Sequence, residues 1–361
     1  MNNMNSYFKL ALMCTLFSFS VHSNATVTKS ASPQNTSYIV NGLPANVHEY
    51  SSFVSLYINA VEYGEDSYWR PYCGGVLIDN DYVLTAAHCI YDDNDAQLYT
   101  SVVFKPHNVF YDHPLEYGQS RRISDIYYRK DYIDTGFLSY PNDIAILKLE
   151  SSPSIGLPVA RATDERYRKA ANQYFVAVGH GRISMDTQHE GELLKTNLHL
   201  VDKNTCSLDF NNILDSHLCF GGNYNYYTGL KNSTCNGDSG GPVYWQHDNR
   251  QTLVGITSFG PKLCGHPGME VTSVFTEVAD YDYWITDVLN NQIDPENTVH
   301  LKTEEQNRVT GVVEIVSNEV QEPEPEPDQM NEQSNSSGGG TNFYWVLLIG
   351  LIAAHRRAAK D

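Results

Sequence analysis

Between Ile39 and Val278 the chain is a succession of short apolar and β-branched runs: Phe53 to Ile58, Cys73 to Ile78, Tyr82 to Ala87, Asp143 to Leu149, Tyr174 to Val178, Leu253 to Phe259 and Val271 to Val278. Turn-forming polar segments such as Asp92-Asp93-Asn94-Asp95 separate them. Many short strands without alternating long helices predict antiparallel sandwiches or barrels rather than βαβ units. The segment Asp280 to Asn291 differs: Tyr281, Trp284, Ile285, Val288 and Leu289 recur at helical spacing, which predicts a closing amphipathic helix.

The two ends have other patterns. Met1 to Ala25 holds one cation, Lys9, an apolar run from Leu10 to Phe19, and small residues at Ser23 and Ala25, the layout of a secretory signal peptide. Beyond Ile293 the composition turns to Glu, Asn, Ser and Pro, including Glu322 to Pro327 in strict Glu-Pro alternation, which predicts an extended, self-repelling spacer. Within it, Val309 to Val316 reads as a lone strand with no assigned role. The chain then runs through Gly338-Gly339-Gly340 and an apolar stretch, Phe343 to Ala354, to Arg356, Arg357 and Lys360. At 1.5 Å per residue that stretch spans about 18 Å, short of a hydrocarbon core of about 30 Å. The basic end should at first face the cytoplasm.

Composition narrows the function classes. Forty-three acidic against 24 basic side chains give a formal net charge of −19, which argues against a nucleic-acid partner. Cys14 lies in the signal peptide and leaves with it, so six cysteines remain: Cys73, Cys89, Cys206, Cys219, Cys235 and Cys264. An even count behind a secretion signal reads as disulfides, with the connectivity left open by the count. No CxxC pair or HExxH helix supports zinc, and the Asp92 to Asp95 cluster needs no calcium as a solvated loop, so neither cofactor nor metal is expected.

Three fragments carry chemistry. In Cys235-Asn236-Gly237-Asp238-Ser239-Gly240-Gly241-Pro242 the glycines let backbone approach a substrate around Ser239, leaving the Gly237 and Ser239 N–H groups to stabilise an oxyanion. His88 ends an apolar strand in Leu84-Thr85-Ala86-Ala87-His88-Cys89, beside a cysteine that can pin its loop. Asp143 opens the apolar strand Asp143-Ile144-Ala145-Ile146-Leu147, where a carboxylate would sit at a buried edge.

Together these fragments, in the order His, Asp, Ser, resemble the chymotrypsin/trypsin family of serine proteases over about Ile39 to Gln292. The resemblance implies a chymotrypsin-like all-β fold, two six-stranded antiparallel β-barrels with a C-terminal helix and the site between them. It implies His88 as general base, Asp143 as the group orienting it, Ser239 as nucleophile and Gly237 and Ser239 as oxyanion donors. It also implies the disulfides Cys73–Cys89, Cys206–Cys219 and Cys235–Cys264, Ser258 as substrate-backbone partner and support for Asp143, and polypeptide substrates for a likewise monomeric enzyme. Ser233 stands where trypsins carry an aspartate, so the primary pocket is expected to be neutral and to disfavour Lys and Arg. Gly260 should keep one pocket wall open, Ser273 stands where a glycine is common, and Tyr140 falls beside the neighbouring subsite.

Ile39-Val40-Asn41-Gly42 is similar to the family's mature terminus, whose freed amine would pair with Asp238; the residue before the cut is Tyr38, so the activating protease is another enzyme or the protein itself. The glycine triplet, short apolar run and basic end are similar to the bacterial GlyGly-CTERM sorting tail, which implies a rhomboid-type sorting protease, type II secretion and a cell-surface or secreted product. The expected parts are therefore a signal peptide, 1–25; an activation propeptide, 26–38; a protease domain, 39–292; a spacer, 293–341; and a tail, 342–361. The competing reading is a catalytically dead, protease-like binding or adhesion module on the bacterial surface; possession of all three triad residues weighs against it.

Overall fold

The computed structural model describes residues 39–60, 69–105, 119–134, 139–170, 173–181, 192–301 and 313–317. The expected signal peptide, the expected propeptide with Tyr38, the Glu-Pro segment and the apolar tail lie outside the described residues. Everything described falls in one compact unit that ends at Asn318.

Six strands build the first barrel: β1 (Phe53–Asn59), β2 (Trp69–Leu77), β3 (Tyr82–Thr85), β4 (Thr100–Phe104), β5 (Gln119–Tyr128) and β6 (Ala145–Leu149). They pair in the order β5-β4-β1-β2-β3-β6, and β5 with β6 closes the ring. β5 can serve two partners because a bulge between Ile123 and Asp125 turns it from β4 towards β6.

The second barrel uses β7 (Phe175–Gly179), β8 (Leu194–Val201), β9 (His217–Gly222), β10 (Pro242–His247), β11 (Arg250–Phe259) and β12 (Ser273–Glu277). The order is β8-β9-β12-β11-β10-β7, closed by β7 with β8. All ladders within both rings are antiparallel, as the short-run pattern predicts, and closure removes the exposed edges that such strands would otherwise present.

Helices are few. Asn94–Tyr99 forms α1, whose first turn is capped by the Asp93 side chain accepting from the Ala96 N–H, so the acidic cluster is a helix start. Lys203–Asp209 forms α2 and Asp282–Leu289 forms α3, preceded by a 3₁₀ turn over Val278–Tyr281. α3 buries Trp284, Ile285 and Val288 against the first barrel's core, the face its periodicity predicts.

Val313–Ser317 (β14) is not a lone strand. It pairs with β13 (Asn297–Leu301), and β13 pairs with β5 of the first barrel. These two segments thus form a hairpin on a sheet rather than extended spacer.

Candidate active site

His88 and Asp143 are brought together by adjacent strands. β3 and β6 pair with Thr85 opposite Ala145, so the residues following β3 and preceding β6 emerge at the same edge. His88 lies in the 3₁₀ turn Ala87–Cys89, and Cys89 is bonded to Cys73 on β2, which fixes that turn. Asp143 is fully buried and holds His88 twice: Oδ1 accepts from the His88 backbone N–H at 2.9 Å, and Oδ2 faces Nδ1 at 2.8 Å. The imidazole itself is 21% exposed, so its other edge reaches the cleft.

The second barrel holds the carboxylate from the far side. The Ser258 hydroxyl donates to Asp143 Oδ2, and the Thr276 hydroxyl donates to the Asp143 carbonyl at 2.8 Å. Burial alone would push the Asp143 carboxyl up, but the facing imidazole, the Ser258 hydroxyl and the His88 backbone N–H keep it below the usual carboxylate range. Burial alone would likewise depress His88, and the Asp143 charge instead raises it above the ordinary imidazole value.

Ser239 lies on the turn before β10, and the next residue, Gly240, packs so close to Thr85 and Ala86 that a Cβ there would lie 3.2 Å from the Ala86 backbone nitrogen. The Ser239 carbonyl accepts from Gly74 N–H on β2 at 2.7 Å, and the Gly74 carbonyl accepts from Thr85 Oγ1, at the end of the strand that leads to His88. Among the described residues the Ser239 hydroxyl makes no hydrogen bond, an arrangement free sites often show before substrate tightens the contact. The neighbouring backbone alternates. Asp238, Gly240 and Gly241 N–H groups donate to the carbonyls of Cys235, Thr257 and Asp238. Those of Gly237 and Ser239 donate to no carbonyl among the described residues, and Gly237 sits at φ +98°, where a side chain would be strained. The turn therefore presents two uncommitted donors beside a serine.

Asp238 points inward and is buried. It accepts from Gly181 N–H at 2.7 Å and Cys235 N–H at 2.8 Å, and a Cβ at Gly181 would lie 2.4 Å from its carboxylate, so only glycine fits there. Burial pushes the Asp238 carboxyl up to about 7 against the pull of those donors. Ile39 is buried beside Leu194, which pairs with Gly179 at the mouth of the same recess, and Val40 bridges to Ser233.

Ser233 and Ser273 are both fully buried close to the serine turn. Ser233 Oγ donates to the Thr272 carbonyl at 2.8 Å, while Ser273 Oγ accepts from Thr234 N–H and Thr234 Oγ1, each at 2.9 Å. Together they form a closed net of neutral hydroxyls. Gly260 packs against it, with the Thr272 carbonyl 3.2 Å from where a Cβ would lie, and Cys235–Cys264 ties the following segment to the serine turn. Tyr140 lies 5.6 Å from the His88 ring and 6.1 Å from Phe259, which also meets Phe210 and His217. Sequence reasoning missed Thr276, Thr234, Phe210 and His217; the aromatic ones carried no motif, because only folding brings them to Phe259.

The sequence matches the Trypsin family model over residues 39–285. The chain belongs to the trypsin family. Members similar to it include the CLIP domain-containing serine protease B4 of Anopheles gambiae, 30% identical over 70% of this chain and 71% of that protein. Kallikrein 1-related peptidase b3 of Mus musculus is 30% identical over 72% of this chain and 92% of its own length. Chymotrypsin-like elastase family member 1 of Canis lupus familiaris is 29% identical over 71% and 94%. The trypsin family fold accounts for the twin barrels, and the third disulfide, Cys206–Cys219, joins α2 to β9 as the resemblance implies.

Two groupings of metal-ligating side chains occur among the described residues. Cys73, His88 and Cys89 form one, with both sulfurs already in a disulfide. Glu165, Glu277 and Asp280 form the other, where the Arg168 guanidinium pairs with Glu277 and Glu165. Neither fits a metal. No described helix is long and apolar enough to cross a membrane.

Proposed function

We propose that the protein is a secreted serine endopeptidase made as a zymogen, with His88, Asp143 and Ser239 as its catalytic triad. The observation that carries this is the doubly held His88–Asp143 pair beside a serine turn whose Gly237 and Ser239 N–H groups are uncommitted. Ser239 Oγ attacks the scissile carbonyl while His88 takes its proton, and the two N–H groups receive the developing oxyanion. His88 then protonates the leaving amine, and water attacks the acyl-enzyme by the same route in reverse. Asp143, fixed from both barrels, holds the imidazole in the required tautomer.

Asp238 is the switch. Cleavage after Tyr38 would free an amine at Ile39 next to the buried carboxylate, order the oxyanion turn and so activate the enzyme. The backbone supports this reading, since Ile39 sits at φ +43°, unfavourable for a β-branched residue, and cutting the preceding bond relieves it. The hydroxyl base formed by Ser233 and Ser273 offers no carboxylate for a substrate cation, so uncharged aromatic or aliphatic residues are preferred. A pocket that accepts tyrosine would let the enzyme mature itself at Tyr38.

The proposed parts are signal peptide 1–25, propeptide 26–38, a protease domain from 39 that takes in the hairpin ending at Ser317, a spacer from there to 341 and tail 342–361, the last removed or used as a sorting signal at a bacterial surface. Three disulfides fit an oxidising destination. A fluorophosphonate should label the matured protein at Ser239 and leave Ser239→Ala unlabelled. Absence of labelling in correctly processed protein would favour the inactive surface module. Intact mass of the mature product, ending near Gly338 to Gly340, tests the tail; retention of Arg356 and Arg357 on the surface form rejects processing.

A further inference from the structure

The hairpin β13–β14 lies beyond the span matched to the family, yet it is built onto the first barrel. Asn297 pairs opposite Ile126 and Thr298 opposite Asp125 on β5. Glu296 N–H donates to the Ile126 carbonyl at 2.9 Å, Thr298 Oγ1 donates to Asp125 Oδ1 at 3.0 Å, and Lys130 reaches Glu296 at 3.6 Å. Asn297 is 6% exposed and Val299 packs against the main core.

β5 is the strand that leads into the loop ending at Tyr140, Asn142 and Asp143. That loop carries unfavourable backbone: Tyr140 sits at φ +34° and Asn142 at φ +59°, conformations that persist only when their surroundings over-determine them. Its start is held by Tyr132 N–H to the Arg129 carbonyl at 2.9 Å and by Asn142 Nδ2 to the Asp131 carbonyl at 3.0 Å. Both contacts lean on residues that directly follow β5. Its far end is fixed separately, since Tyr281 holds Asn142 and Ser258 and Thr276 hold Asp143.

We infer that the C-terminal hairpin is a strap whose Glu296, Asn297 and Thr298 are positioning residues for Tyr140, and so for the subsite next to His88, while leaving the triad geometry to the β3–β6 ladder and the Ser258 and Thr276 hydroxyls. This rests on the protease reading for its substrate consequence. Loosening the strap should therefore weaken binding of peptides long enough to reach Tyr140 without slowing the chemical step.

The test uses the full, matured chain carrying Thr298→Val, which removes the hydroxyl at constant shape, and Thr298→Ser, which keeps it. In Thr298→Val, amide hydrogen exchange across residues 129–134 and 139–142 should quicken about fivefold, the scale of one lost hydrogen bond. KM for an extended peptide should rise by a similar factor with kcat unchanged, a short ester confined to the primary pocket should be unaffected, and Thr298→Ser should behave as the parent. Faster exchange at 296–301 with 129–142 unchanged, or equal losses for ester and peptide, would overturn the strap. Should Thr298→Val fail to fold, Lys130→Ala at an exposed position should give the same pattern at about twofold, and no change there overturns it too. A parent protein that hydrolyses nothing defeats the protease reading alone, because the exchange measurement still reads the strap.

Discussion

The first barrel supplies its share of the site from strand ends, whereas the second supplies its share from turns. His88 and Asp143 flank β3 and β6, bond to each other and rest on a paired ladder. Ser239, Asp238 and Ser233 sit on connections shaped by glycine, a disulfide and a buried carboxylate whose charge has no cationic partner among the described residues, and Ser273 only just opens β12. The acid–base half thus rests on a ladder, and the proposed activation would act on the nucleophile half. Regulation is cheapest where structure is least determined by hydrogen-bonded ladders.

The sharpest way to break this contrast is at the chemistry itself. Ser239→Ala and His88→Ala should each reduce kcat by about a million-fold, because the two act as a unit across the barrels. Purified Ser239→Ala turning over peptides well above that residue would refute the assignment. Next in size, Asp238→Asn should lower kcat/KM of processed protein by about a hundredfold or more, since the Ile39 amine then lacks its charge partner. Near-parental turnover in that variant would show that the turn orders without the ion pair. Ser273→Gly removes one hydroxyl from the pocket base and should move preference from small towards aromatic residues by about tenfold; peptide profiling that returns an unchanged ranking, or cleavage after Arg or Lys, would discard the pocket argument.

Acidity gives the mildest contrast. His88 titrates above 6.5, so kcat/KM should fall as pH drops through a midpoint higher than that value; a midpoint below 6.5 would contradict the held geometry. Stability runs the other way. A raised His88 contributes stability fully below 6.5 and loses it as pH climbs through the folded value, and a depressed Asp143 contributes above 3.8 and loses it on acidification. The Tm advantage of the parent over Asp143→Asn should therefore be greatest between those values. An advantage that keeps growing at alkaline pH would speak against the coupled pair.

Strands with uninterrupted apolar runs were readable from the sequence, and the structure places β1, β3, β6, β7 and β11 on them within a few residues. The unread strands are instructive. β5 mixes Arg121, Arg122 and Asp125 with its apolar residues, and its bulge resets the alternation midway. β8 alternates cleanly only at Leu194, Thr196 and Leu198, where a buried threonine breaks the apolar rhythm. β10 opens on a proline after two glycines, a turn signature that hides the strand behind it. At the site, residue types were legible because the chemistry demands them at His88, Asp143 and Ser239. The spending of the Ser273 hydroxyl on Thr234 was not, since it depends on a loop meeting the first residue of a strand 39 residues further on in sequence.

β12 joins two tasks on one short strand: Ser273 holds Thr234 at the proposed pocket base, and three residues later Thr276 secures Asp143 of the other barrel. Its register is fixed on both sides, with Ser273 opposite Phe220 and Thr276 opposite both His217 and Ile256. A one-residue slip would invert every side chain and displace both groups at once. Lineages of this protein can therefore retune selectivity here only by exchanging side chains in place. Insertions and deletions within Ser273–Glu277 should be absent among active descendants, while the adjoining loop from Cys264 to Thr272 remains free to change length.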